Sequence, residues 1–186
     1  MIGGSAIRSS RFSLPVALVG LGTLALIAAR TDFPTPVLGH AVMVAGLIPL
    51  VVIDLETRRL PRELSYPAAA VSAALLVLGD LLSEPEFDTA ARVGGGAVLF
   101  ALLMLIFALV TRGGLGGGDV RLAPLLGANL GYHGVLNVPS ALFVAALLAL
   151  AAAAPGLLAG RRSFRSTLPF GPFLAVGTLA ILILVA

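Results

Sequence analysis

The feature that most constrains this chain is a near-unbroken succession of apolar runs, each close to the length of a bilayer-crossing helix. About 20 apolar residues, within a range of about 17–25, cross the hydrocarbon core. Runs of this order occupy residues 14–29, 37–53, 66–82, 93–110, 135–154 and 170–186. A seventh segment, 120–130, is apolar but short and lies between the glycine-rich stretch 113–118 and Gly131. Of 186 residues, 59% are hydrophobic and 11% charged, whereas soluble domains sit near about 45–50% and about 25%. A water-soluble core of this size cannot hide that much apolar surface. The pattern predicts an all-α, polytopic helical bundle in the membrane, one domain over residues 1–186. The first run is followed by further hydrophobic spans and no convincing cleavage site, so it reads as a span and not as a signal peptide.

Charge narrows the topology. All twelve basic residues are arginine, and arginine accumulates on the cytoplasmic side of membrane helices. With the N-terminus inside and segment 120–130 crossing, seven spans place ten arginines inside and two, Arg30 and Arg92, outside. If that segment does not cross, six spans remain and the split falls to seven against five. Seven spans is the better reading. The acidic loop of Asp80, Glu84, Glu86 and Asp88 lies outside in either case. The net charge of +3 does not point to nucleic acid, because the arginines fall between apolar runs and form no groove-facing stripe. The absence of cysteine removes disulfides, thiol catalysis and cysteine-ligated metals. His40 and His133 are far apart in sequence and give no reason to expect zinc. Neither a metal nor a cofactor is expected. His40 is placed toward the outer interface and His133 near a turn, and neither is expected to be catalytic. Tyr66 and Tyr132 read as interfacial anchors.

Ionisable groups at span ends cost several kcal/mol on insertion scales, so each is a functional candidate. Asp54 closes the second run and Asp119 opens the short fifth segment. On the seven-span map both lie at the cytoplasmic face. Two carboxylates held about 3 Å apart share a proton. The ionised one takes a proton from water as it attacks a peptide carbonyl, while the protonated one donates toward the developing oxyanion. This is aspartic peptidase chemistry, and it needs no metal, serine or cysteine. Gly113, Gly114, Gly116, Gly117 and Gly118 precede Asp119. Side-chain-free backbone there lets an extended substrate approach a carboxylate near a helix end. Taken singly, the residues have plainer readings: Asp119 as a helix N-cap, Asp54 as a partner of Arg58 or Arg59. Pro169 and Pro172 fix the backbone at the start of the last span, either as a kinked approach beside the pocket or as an ordinary helix start.

Together these segments resemble a known family. The stretch from Asp54 through Leu60-Pro61 to Tyr66-Pro67 is similar to the first motif of type IV prepilin leader peptidases. Gly116-Gly117-Gly118-Asp119-Val120-Arg121-Leu122 looks like their GxGD motif with its following basic residue, and Leu168-Pro169-Phe170-Gly171-Pro172 like the opening of their last span. The resemblance covers residues 37–186 and implies a membrane-embedded aspartic endopeptidase. Its implied catalytic pair is Asp54 and Asp119, with motif support from Pro61, Gly116, Gly118, Arg121, Pro169, Gly171 and Pro172. The implied substrates are prepilin or pseudopilin precursors of type IV pili and type II secretion. The leader would be removed at the cytoplasmic face of the bacterial cytoplasmic membrane. Two positions depart from the pattern: Arg62 follows Leu-Pro where many members have Asp or Asn, and Arg121 stands where lysine is usual. The larger members' cysteine-containing N-terminal domain has no counterpart here, so the short, peptidase-only form is expected and N-methyltransferase activity is not. The alternatives are a proton- or cation-coupled small transporter, which an inverted repeat would signal, and a presenilin-like peptidase, which shares only GxGD.

Overall fold

The computed structural model describes residues 34–57, 62–83, 86–111, 117–158 and 170–185, together with positions 21, 22, 24, 25, 28 and 29. Among the described residues all regular structure is helical. The helices are α1 (Pro34–Thr57), α2 (Arg62–Leu82), α3 (Thr89–Val110), α4 (Gly117–His133), α5 (Asn137–Leu158) and α6 (Gly171–Val185). The positions described between 21 and 29 are helical as well, within the expected first run. Three helices, Arg62–Leu82, Thr89–Val110 and Asn137–Pro155, are long and apolar enough to cross a membrane, and Val37–Ile53 and Gly171–Val185 are shorter apolar helices. This is an integral membrane protein.

The outer helices show why. On α3, Thr89, Val93, Gly96, Phe100 and Met104 are buried, a stripe at three- and four-residue spacing. The other faces of α3 carry Val98, Leu102, Leu105, Ile106 and Leu109, which are 45–69% exposed. A helix that is apolar on both faces needs lipid, not water, around the bundle. Phe143, Leu147 and Leu150 on α5 extend the same lipid-facing belt.

The short segment 120–130 is helical throughout. It is the middle of α4, a continuous helix of 17 residues, or about 25 Å. That is the lower end of the length a crossing helix needs, and the helix is less apolar than the three membrane-length ones. Eleven of its residues are buried, from Gly118 to Gly131, and α4 packs against α1, α2, α3, α5 and α6. A helix ringed by other helices meets little lipid, so it can hold Asp119, Asn129 and several glycines where a lipid-facing helix could not. The contact with α3 is the closest in the bundle. A side chain at Gly96 would collide with the carbonyl of Gly127, and one at Gly127 with the carbonyl of Gly96, so the two backbones touch. Gly134, at φ +136°, ends α4 in a backbone conformation that side chains disfavour.

The α2–α3 loop is tied down by its own charges. Asp80 is buried, and its Oδ2 accepts the Glu86 N–H at 3.0 Å. Arg92 pairs with Glu86, and with Asp88 at 3.4 Å. An arginine on the expected outer side is thus held by acidic neighbours.

Candidate active site

Asp119 is the third residue of α4 and is 3% exposed. It sits inside the first turn, three places beyond what an N-cap would occupy. Gly117 and Gly118 make up the rest of that turn, with Gly118 buried. Arg121 follows on the next turn, partly buried. Asp54 lies in the last turn of α1, and its side chain is outside the described residues. Pro61, Gly116 and Pro169 also lie outside them. On α6, Gly171 is buried and Pro172 occupies the first turn. The Phe170 carbonyl accepts the N–H of Phe173 at 3.0 Å and of Leu174 at 3.1 Å. Pro172 therefore stands where a helix has no use for its missing N–H, as at an ordinary helix start. The core beside this end is shared by Leu50 and Val51 of α1, Leu122 and Ala123 of α4, and Leu174 and Ala175 of α6.

The opposite end holds a polar cluster that the sequence reading discounted. His40 and His133 are 93 positions apart in the chain, yet their Nε2 atoms lie 3.2 Å from one another. The rings are nearly parallel, 13° between planes. Tyr132 packs edge-on against both, with centroids 6.0 Å from His40 and 5.1 Å from His133. Distance along the chain was a poor guide here because α1 and α4 run side by side. Tyr132, expected at an interface, is part of this packing, whereas Tyr66 is half exposed. Two imidazoles do not make a metal set, and no group of three His, Cys, Asp or Glu side chains gathers among the described residues.

The cluster continues inward. Asn129 Nδ2 donates to the Leu125 carbonyl at 2.8 Å and to Ser72 Oγ at 2.8 Å, and Ser72 Oγ donates to the Gly39 carbonyl at 2.8 Å. Asn129 Oδ1 therefore faces His40 Nδ1, at 2.8 Å. An amide oxygen only accepts, so His40 Nδ1 carries the proton and its Nε2 offers a lone pair to the N–H of His133. His40, Ser72 and Asn129 are fully buried, and each finds at least one partner in another helix. The signal was present in the sequence: asparagine and histidine inside apolar runs are costly unless paired.

This contact fixes the register of α1 against α4. In antiparallel helices, positions at one level have numbers that add to a constant. His40 with His133 gives 173, and Asp54 with Asp119 also gives 173. Midway, Leu125 is the α4 side chain nearest Gly46, a sum of 171. From either histidine, 14 residues lead to the aspartate on the same helix. That is about 21 Å of rise and about 40° short of four turns. Carried along both helices, that register leads the two aspartate positions to the same end of the pair. Pro49 and Pro124 stand five residues from them, again at matching levels.

Comparison with known proteins agrees with the motifs. Residues 41–154 match the type IV leader peptidase family. The chain is 36% identical over 141 residues to the prepilin leader peptidase/N-methyltransferase of Burkholderia pseudomallei, covering 74% of this chain and 43% of the relative. It is 30% identical over 173 residues to the protein of that name in Bacillus subtilis, covering 91% and 66%. With the Aeromonas salmonicida protein it shares 31% over 183 residues, covering 97% and 60%. The chain thus spans roughly half to two thirds of the length of these relatives. No solved structure matches it. An all-helical membrane bundle, the motifs around Asp54 and Asp119, and a family match over most of the helices lead to one conclusion: this chain belongs to the type IV leader peptidase family.

Proposed function

We propose that this chain is a membrane-embedded aspartic endopeptidase that removes the leader from type IV prepilin-like or pseudopilin precursors at the cytoplasmic membrane face. Asp54 and Asp119 form its dyad. What supports the reading is the family match together with the His40–His133 contact, whose register, carried along α1 and α4, leads positions 54 and 119 to the same end. One carboxylate takes the proton of the attacking water and the other protonates the carbonyl oxygen. Collapse of the tetrahedral intermediate then releases the amine, which takes a proton from the dyad. The glycines ahead of Asp119 keep bulk away from the peptide. Gly171 and Pro172 start α6 beside the same core. The positive-inside asymmetry of the arginines supports the cytoplasmic side. The family match weighs against the transporter reading.

The test is cleavage of a prepilin-like substrate by purified protein in detergent. Asp54→Asn and Asp119→Asn should each lower the rate by about 10²–10⁴-fold or more with unfolding temperature retained. Cleavage at wild-type rate in either variant removes that residue from the chemistry.

A further inference from the structure

We propose that His40 and His133, held by Asn129 and Ser72, are positioning residues: a rivet that sets the register and rotation of α1 against α4 so that positions 54 and 119 meet. The proposal rests on the dyad reading above and adds what aligns the dyad.

Apolar packing alone aligns helices loosely in a bilayer. Lipid tails are as apolar as leucine, so sliding one helix by a turn exchanges similar contacts. A directed polar contact does not tolerate such a slide. Here the chain of donors runs in one direction, from His133 to His40, and from Asn129 through Ser72 to the Gly39 carbonyl, while Asn129 Oδ1 accepts from His40. A slip of α4 by one residue, about 1.5 Å and 100°, would strand the buried groups of Asn129, Ser72 and His40 together. It would also turn position 119 away from position 54. A single buried polar residue that fixes helix register is known from coiled coils. The three helices joined here, α1, α2 and α4, include both helices that bear the aspartates. Pro49 and Pro124 each take a backbone N–H out of the stretch between rivet and aspartates. Those stretches are therefore more deformable than uninterrupted helix, which makes an anchor at the far end more necessary.

The absence of cysteine from the sequence makes the test direct. Asp54→Cys and Asp119→Cys are combined in one chain, and oxidative cross-linking within the folded protein is timed. The proposal expects ready cross-linking, slowed about tenfold when His133→Leu is added and restored by His133→Gln, whose amide N–H can replace the imidazole donor. His133 is partly exposed, so its replacement spares the buried core. In the otherwise wild-type chain, His133→Leu should lower kcat by about 10–100-fold with KM within about twofold, and His133→Gln should recover most of it. A packing role alone predicts the reverse order, because leucine fills the membrane interior better than glutamine. Equal cross-linking in all three chains, or no cross-linking in the parent, overturns the rivet. Loss of the dyad reading would show instead as cleavage surviving Asp119→Asn, whatever the cross-linking shows.

Discussion

The two ends of the α1–α4 pair are built from different materials. At the histidine end, polar side chains from three helices saturate one another: His40, Ser72 and Asn129 are fully buried and bonded across helix boundaries. At the aspartate end the sequence supplies glycines, prolines and the carboxylates Asp54, Glu56, Glu63 and Asp119. At the histidine end the turn 134–136 is closed by hydrogen bonds such as Gly134 N–H to the Gly131 carbonyl at 2.9 Å and Asn137 N–H to the Gly134 carbonyl at 3.0 Å. One end spends its polar groups on holding the helices, and the other, under the proposed function, keeps small residues where a peptide would come close. A membrane enzyme needs both: without lipid-independent contacts a bundle lacks a unique register, and without an uncluttered end it has no access for substrate.

Replacing either aspartate should break this comparison most sharply, since activity should fall by orders of magnitude while the histidine end holds the bundle together. The unfolding temperatures of Asp54→Asn and Asp119→Asn should stay near that of the parent. A large drop in either would mean that the aspartate end also supports the fold. Next in size is a change that serves neither end in particular. Gly96→Leu or Gly127→Leu would drive a side chain into the facing backbone of α3 or α4. It should destabilise by about 3 kcal/mol or more, read by thermal unfolding in detergent, and if stability is unchanged the close crossing is not as described. Asn129→Leu removes the hub of the polar cluster and leaves Ser72 and His40 short of partners. A loss of about 1–3 kcal/mol is expected, larger than for Ser72→Ala, and an equal effect of the two would deny Asn129 its central place.

The smallest expected effect is the most discriminating. Cleavage by a proton-sharing dyad should give a bell-shaped pH profile, whose two apparent pKa values belong to the pair as a unit. On the acid limb activity is lost as the second carboxylate protonates, and on the alkaline limb as the shared proton leaves. His133→Leu should lower the height of the bell and leave both limbs in place. Movement of a limb would show that the histidine pair takes part in proton transfer and is more than an anchor.

How much was legible in advance varied with the kind of signal. Runs of apolar residues located α1, α2, α3, α5 and α6 to within a few residues, because a lipid-facing helix must be apolar along its length. The same rule misjudged α4. Its central place spares it from lipid, so its sequence is weaker in hydrophobicity and richer in glycine than a span is expected to be. The arginine count favoured a crossing there, and the structure shows a continuous helix, Gly117–His133, over the segment. The family was readable from three short motifs, since each keeps its spacing within a local stretch. The histidine cluster was not. His40 and His133 are separated by 93 positions, and no local periodicity says that two such residues share a level.

The sequence by itself determined the solvent, the helical class, the family and the two carboxylates worth testing. These follow from local composition and spacing, which a bilayer enforces residue by residue. Only the tertiary structure decided that α4 is the centre of the bundle and that its far end is bonded to α1 and α2. It also decided that His40 meets His133. Those facts depend on which helix lies beside which, and packing between distant segments leaves little trace in either segment alone.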